Sequence, residues 1–225
     1  MYPFRKLTAR ILTAFALMIG LYSLYIEYFA HDLVMPISGK LIIAIVFAAA
    51  MTVAATAYYL STSDMLKKFS YIRNFLTIIF VYYLLILINM LFWDSYFGRE
   101  VHSILPLGEY LQEICNFRPF ATVRRYLYAY EIGAVSLRIT MINLCGNFCA
   151  FMPMGIFLPL LFRKCRNISF FTLCIALTVC GVEILQIITR LGIGDIDDII
   201  LNLAGALLAY SLMQLSFIKR LWQRL

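Results

Sequence analysis

Six stretches of almost uninterrupted apolar residues organise this chain: Ile11–Ala30, Leu41–Leu60, Phe75–Trp93, Ile139–Phe162, Ile168–Ile188 and Ile196–Ile218. A hydrocarbon core about 30 Å thick needs about 20 such residues at about 1.5 Å rise each, and every stretch meets that length. The apolar positions are continuous rather than alternating, which predicts helices and not barrel strands. The expected fold is an all-α polytopic transmembrane bundle of about six spans. Arg5, Lys6 and Arg10 precede the first stretch as they would in a signal peptide. That stretch is too long for one and lacks a small-x-small cleavage site, so it reads as a retained helix.

Between the third and fourth spans lies a 45-residue segment, Asp94–Arg138, with a pattern of its own. Leu107, Tyr110, Leu111 and Ile114 recur at helical spacing after Pro106, which predicts a short amphipathic helix. Further on, Phe120-Ala-Thr-Val-Arg-Arg-Tyr-Leu-Tyr-Ala-Tyr130 interleaves tyrosine with Arg124 and Arg125. That mixture suits a helix lying at a membrane interface, and it would equally suit a basic lid over a site. No Gly/Ser or Pro linker and no internal repeat interrupts the chain, so residues 1–225 read as one membrane domain.

Composition agrees with the pattern. Hydrophobic residues make up 63% of the chain and charged residues 14%, against about 25% charged in soluble domains. Too few polar side chains remain to cover a globule in water. The formal net charge of +7 is set by topology rather than by nucleic acid, and no nucleic-acid partner is expected. Arg5, Lys6 and Arg10, then Lys67, Lys68 and Arg73, then Arg163, Lys164 and Arg166, then Lys219, Arg220 and Arg224 all fall on one side of the six-span topology. The other side holds Lys40, Arg190 and the long loop, whose five arginines are matched by five acids. The positive-inside rule therefore places both termini in the cytoplasm.

With that topology the scarce polar residues acquire a depth. Asn143 and Asn147 share a face in the outer half of the fourth span, and Glu183 and Gln186 share one near the end of the fifth. The sixth span opens with Gly194-Asp-Ile-Asp-Asp198, and Asn202 follows one turn below. Glu27 and Asn89 also fall near outer ends. Ionisable side chains in a bilayer are costly, so this clustering predicts one outward-facing acidic and amide pocket.

The chemistry of that pocket admits several readings. Asp195, Asp197, Asp198 and Glu183 cannot all stay ionised side by side without compensation. Compensation could come from Arg190, Arg118, Arg124, Arg125 or Arg138, from a divalent cation on oxygen ligands, or from protonation. Asp195 and Asp197 also suit plain helix capping, and Asp198 and Asn202 suit interhelical hydrogen bonding. A metal, if present, would use Asp195, Asp197 and Asp198; Glu183 and Asp198 are the candidates for acid/base work. No cofactor is predicted. No Walker loop, G-x-S-x-G, H-E-x-x-H or paired C-x-x-C occurs. His31 and His102 are too few for a histidine zinc centre, and the six cysteines lie mostly inside spans, where they pack as small hydrophobes. Pro153 and Gly155 predict a kink in the fourth span just past Asn147. Gly205 and Ala209, on the face of Asp198 and Asn202, predict a closely approaching neighbour helix.

Met141-Ile-Asn-Leu-Cys-Gly-Asn-Phe-Cys-Ala-Phe-Met-Pro-Met-Gly-Ile156 resembles the N-x-x-G-N-x-x-x-F-x-P-x-G stretch of the VanZ-like family. Val182-Glu-Ile-Leu-Gln186 resembles its E-x-x-Q helix. Gly194-Asp-Ile-Asp-Asp-Ile-Ile-Leu-Asn-Leu-Ala-Gly205 resembles its D-I-D-D-x-x-x-N-x-x-G element. The resemblance covers roughly residues 90–215, and the helices of residues 1–74 match nothing. Its N-x-x-P-F-type segment would follow the third span, where His102-Ser-Ile-Leu-Pro106 stands, with Arg118-Pro-Phe120 coming separately. The resemblance implies a multi-pass protein of the bacterial cytoplasmic membrane, linked to low-level teicoplanin resistance, in a family without a settled biochemical activity. Together with the residues, it leads to an expected envelope protein, non-catalytic or of an activity not yet assigned, whose outward-facing pocket binds or shields a lipid-linked or peptidoglycan-related group. The ligand-binding candidates are Asn143, Asn147, Glu183, Gln186, Asp195, Asp197, Asp198, Asn202, Arg124 and Arg125. The rivals are a membrane enzyme acting on an envelope lipid and a proton-coupled transporter.

Overall fold

A computed structural model describes residues 2–30, 35–93, 106–113 and 115–215. His31, Asp94, Arg99, Glu100, His102, Ile114 and the basic tail Lys219, Arg220 and Arg224 lie outside the described residues. Among those described, the chain is helical and has no β-strand. Six helices, or helix pairs, are long and apolar enough to cross a membrane: Lys6–Phe29, Ile37–Ser61, Met65–Phe92, Leu137–Leu161, Ile168–Thr189 and Ile196–Met213. The protein is a multi-pass all-α membrane protein, as the hydropathy pattern predicts. The chain divides into two compact units, residues 1–98 and 99–224.

The N-terminal unit consists of α1 (Tyr2–Phe29), α2 (Ile37–Ser61) and α3 (Met65–Phe92). Small residues let α1 and α2 approach closely, as expected where van der Waals packing rather than hydrophobicity joins helices in lipid. Ala9 and Ala16 are fully buried, and a Cβ on Gly20 would lie 2.7 Å from the Phe47 ring. Phe47 in turn packs on Tyr82 of α3, ring centroids 4.2 Å apart. The opposite faces expose Ile11, Phe15, Met18, Leu41, Ile42 and Ile45, an outward apolar surface suited to acyl chains. α3 begins ten residues before the predicted span, because Asp64 caps it through the backbone N–H groups of Leu66 and Lys67. Lys67, Lys68 and Arg73 are thus its first turns rather than a loop.

Polar contacts between its helices fasten this unit. Ser23 and the Tyr82 hydroxyl share a hydrogen bond of 2.8 Å. Lys40, on the second turn of α2, forms an ion pair with Glu27 of α1, both side chains 5% exposed. Asn89 donates to the Glu27 carbonyl at 3.1 Å. Glu27 and Asn89 therefore have partners within their own unit.

The C-terminal unit comprises α4 (Leu107–Glu113), α5 (Ala121–Glu131), α6 (Leu137–Ala150), α7 (Met152–Leu161), a 3-10 turn (Arg163–Arg166), α8 (Ile168–Thr189) and α9 (Ile196–Met213). α6 and α7 form one apolar passage broken at Phe151, with Pro153 in the first turn of α7. This is the predicted kink, set by the missing proline donor. α9 is the hub, packing against α5, α6, α7 and α8. Its contact with α6 and α7 is backbone on backbone. A Cβ on Gly205 would fall 1.7 Å from the Phe148 carbonyl oxygen, and one on Gly155 would fall 2.4 Å from that of Ala206. Only glycine permits that approach.

Candidate functional site

α8 ends with Arg190 in the left-handed conformation (φ 57°), and α9 begins at Ile196. The turn between them is pinned from outside. The hydroxyl of the fully buried Tyr110 donates to the Gly192 carbonyl at 2.7 Å, and the Arg190 guanidinium lies 5.5 Å over its ring. Gly194 must be glycine, since a Cβ there would lie 2.5 Å from Ile187 Cδ1 and 3.3 Å from Cys115 Sγ.

Against this turn lies Asn116, a residue the sequence reading passed over. Its backbone N–H donates to the Gly194 carbonyl and its own carbonyl accepts from the Ile196 N–H, both at 2.9 Å, forming a parallel bridge to Asp195. Its side-chain Nδ2 donates to Asp195 Oδ1 at 2.9 Å and Thr122 Oγ1 at 3.1 Å, while Oδ1 accepts from Arg118 N–H at 3.0 Å. Asn116-Phe-Arg-Pro-Phe120 spells N-x-x-P-F. The N-x-x-P-F segment expected at His102–Pro106 therefore stands 14 residues further along, at Asn116–Phe120.

The three aspartates at the head of α9 point to three different partners. Asp195 caps α9, its Oδ1 accepting from Asp197 N–H at 2.9 Å, and its own N–H donates to Glu183 Oε2 at 3.1 Å. Asp197, 1% exposed, turns the other way and accepts from the backbone N–H groups of Phe120, Thr122 (2.8 Å) and Val123 (3.1 Å). These are orphan donors at the start of α5, where Phe120 stands at φ 63° and offers no side-chain cap. Asp197 thus caps a helix 75 residues away in sequence, with its charge at the positive end of that helix dipole. Asp198 accepts from Asn147 Nδ2 of α6.

Of the predicted residues, Asn147, Glu183, Gln186, Asp195, Asp197, Asp198 and Asn202 lie on the meeting elements α6, α8 and α9. Glu183, Gln186, Asp195, Asp197 and Asn202 are buried. Asn143 is not drawn in: its Nδ2 donates to Ile139 O of its own helix at 2.8 Å. Arg124 and Arg125 are exposed on α5, Arg125 reaching Thr122 Oγ1 at 3.5 Å. Tyr126 beside them has its phenol pKa raised, first by burial and further by the charges of Asp198 and Asp195, while Arg125 opposes the shift. Among the described residues no group of three or more His, Cys, Asp or Glu is arranged to hold a metal ion. The carboxylate of Asp197 is compensated by backbone amides, which side-chain reasoning does not see.

Among the described residues one buried side-chain atom stands apart. Asn202 is 4% exposed and its Oδ1 has no hydrogen-bond partner. Such an orphan costs about 1–3 kcal/mol.

These elements define a class: a polytopic helical membrane protein in which a polar latch fastens an amphipathic loop helix to the head of a buried hub helix. The family model described as VanZ/LLP1 matches residues 80–218, and the chain belongs to that family. No curated protein and no solved structure matches it.

Proposed function

We propose that this protein works in the bacterial cytoplasmic membrane, with both termini in the cytoplasm. There it binds a lipid-linked or peptidoglycan-related group at the α5–α9 head and lowers susceptibility to teicoplanin-type lipoglycopeptides. The observation that carries this reading is the latch itself: residues from three separate family motifs meet where α5 joins α9. The latch sets Arg124 and Arg125 on an exposed aromatic helix beside the acidic and amide residues. Basic and aromatic side chains at an interface attract anionic headgroups. On this reading the acids mainly hold the platform, and the ligand meets α5 and the α6–α9 seam.

The test is expression of the wild type and of Asp197→Ala, Asp198→Ala and Glu183→Gln in a susceptible host. Raised lipoglycopeptide tolerance with the wild type, reduced in the variants, supports the reading. Tolerance equal to an empty vector for all four sinks it.

A further inference from the structure

We infer that one exposed face of α6 carries a site for a soft monovalent metal ion, copper(I), held on Met141 and Cys145 with Cys149 beside them. The three residues stand four apart and so share one face of the helix. Asn147, whose amide meets Asp198 of α9, lies on the opposite side of the helix, so the sulfur face is separate from the latch. Free cysteine is ordinarily among the most buried residue types. Of the six free cysteines, Cys145 and Cys149 are the two that are exposed, and Met141 is 49% exposed. The packing role expected of cysteines inside spans does not describe these two.

The sulfurs are already spaced for a metal. The Cys145 thiol lies 4.0 Å from Met141 Sδ, toward which it donates. Two ligands about 120° apart on bonds of about 2.3 Å, the metal–thiolate length, stand about 4 Å from one another. Thiolate and thioether are soft donors, which select copper(I) over hard ions. Charge narrows the choice further. One thiolate, one thioether and a monovalent ion sum to zero, which an apolar span tolerates. A divalent ion would stay charged there, and zinc would lack the four ligands it takes. Cys149 adds a sulfur one turn on without needing to ionise. Binding breaks the Cys145 S–H bond, forms an S–Cu bond and releases the proton to solvent, with no change of oxidation state.

The full chain, purified anaerobically in detergent with ascorbate, is titrated with copper(I) against a chromogenic chelator, and the ligands are read by X-ray absorption at the copper edge. The wild type should hold copper(I) in an all-sulfur shell that zinc does not displace. Cys145→Ser should weaken binding by more than about a hundredfold, beyond the about 10–100-fold that loss of an outer-shell partner costs. Met141→Leu should weaken it less, and Cys180→Ser, on α8, should leave it unchanged. Because Met141 and Cys145 are exposed, the unfolding midpoint of the metal-free chain should not move in either variant. Should Cys145→Ser fail to fold, the affinity of Met141→Leu still decides. No copper(I) held against the chelator, or unchanged affinity in both α6 variants, overturns the site. An equal loss in Cys180→Ser, or equal binding of zinc, assigns the metal to cysteines at large and overturns it too.

Discussion

The two units bury carboxylates by opposite means. In the N-terminal unit Glu27 faces the ammonium of Lys40, charge against charge between α1 and α2. In the C-terminal unit Asp197 is equally buried but faces three backbone N–H groups, and Asp195 faces an amide and a further backbone N–H. The difference has a physical consequence. An ion pair joins two side chains and can be replaced as a pair. A carboxylate bonded to backbone amides fixes the path of the main chain, here the start of α5, and no side chain elsewhere can substitute for it.

The largest effect is expected where neither device operates and backbones simply touch. Gly205→Leu should prevent α9 from seating on α6, costing more than about 4 kcal/mol and abolishing a cooperative unfolding transition in detergent. A well-folded Gly205→Leu protein would mean that the close approach is not required. Lys40→Ala comes next, because it leaves Glu27 buried and unpaired; a loss of about 3–5 kcal/mol is expected. The double variant Glu27→Leu/Lys40→Met should recover most of it. If the double variant is as unstable as the single one, the pair does more than neutralise charge.

Asp197→Ala should cost about 3 kcal/mol by stranding the amides of Phe120, Thr122 and Val123. Unlike Lys40→Ala, it should have no rescuing partner among side-chain substitutions. Recovery by a second substitution in α5 would erase the contrast between the units. Smallest is Asn143→Leu, since that amide only bonds its own helix; its unfolding midpoint should change by the equivalent of about 0.5 kcal/mol or less.

Much of this was legible in the sequence because hydropathy and glycine placement are local signals. The six spans, the break after Asn147, the close approach at Gly205 and the loop helices around Tyr110 and Tyr126 all follow from short windows. Two things escaped. Lys40 reads as a loop charge, yet its long side chain lets it sit within α2 and reach Glu27. The cap on α5 escaped for a different reason. Its donors are backbone amides with no side-chain signature, and its acceptor stands 75 residues away. Phe120 at a positive φ gives no hint either, since aromatics rarely adopt it. The N-x-x-P-F segment was the one available clue, and Asn116 is the residue in it that touches α9.

Amide hydrogen exchange at Phe120, Thr122 and Val123 reads the latch most directly. In the wild type these three amides should exchange as slowly as the interior of α9, because each is held by buried Asp197. In Asp197→Ala they should exchange at least about a hundredfold faster, the factor corresponding to about 2.7 kcal/mol of lost protection, while α1 and α2 amides keep their rates. Rapid exchange at these positions in the wild type, or protection that survives Asp197→Ala, would contradict the account.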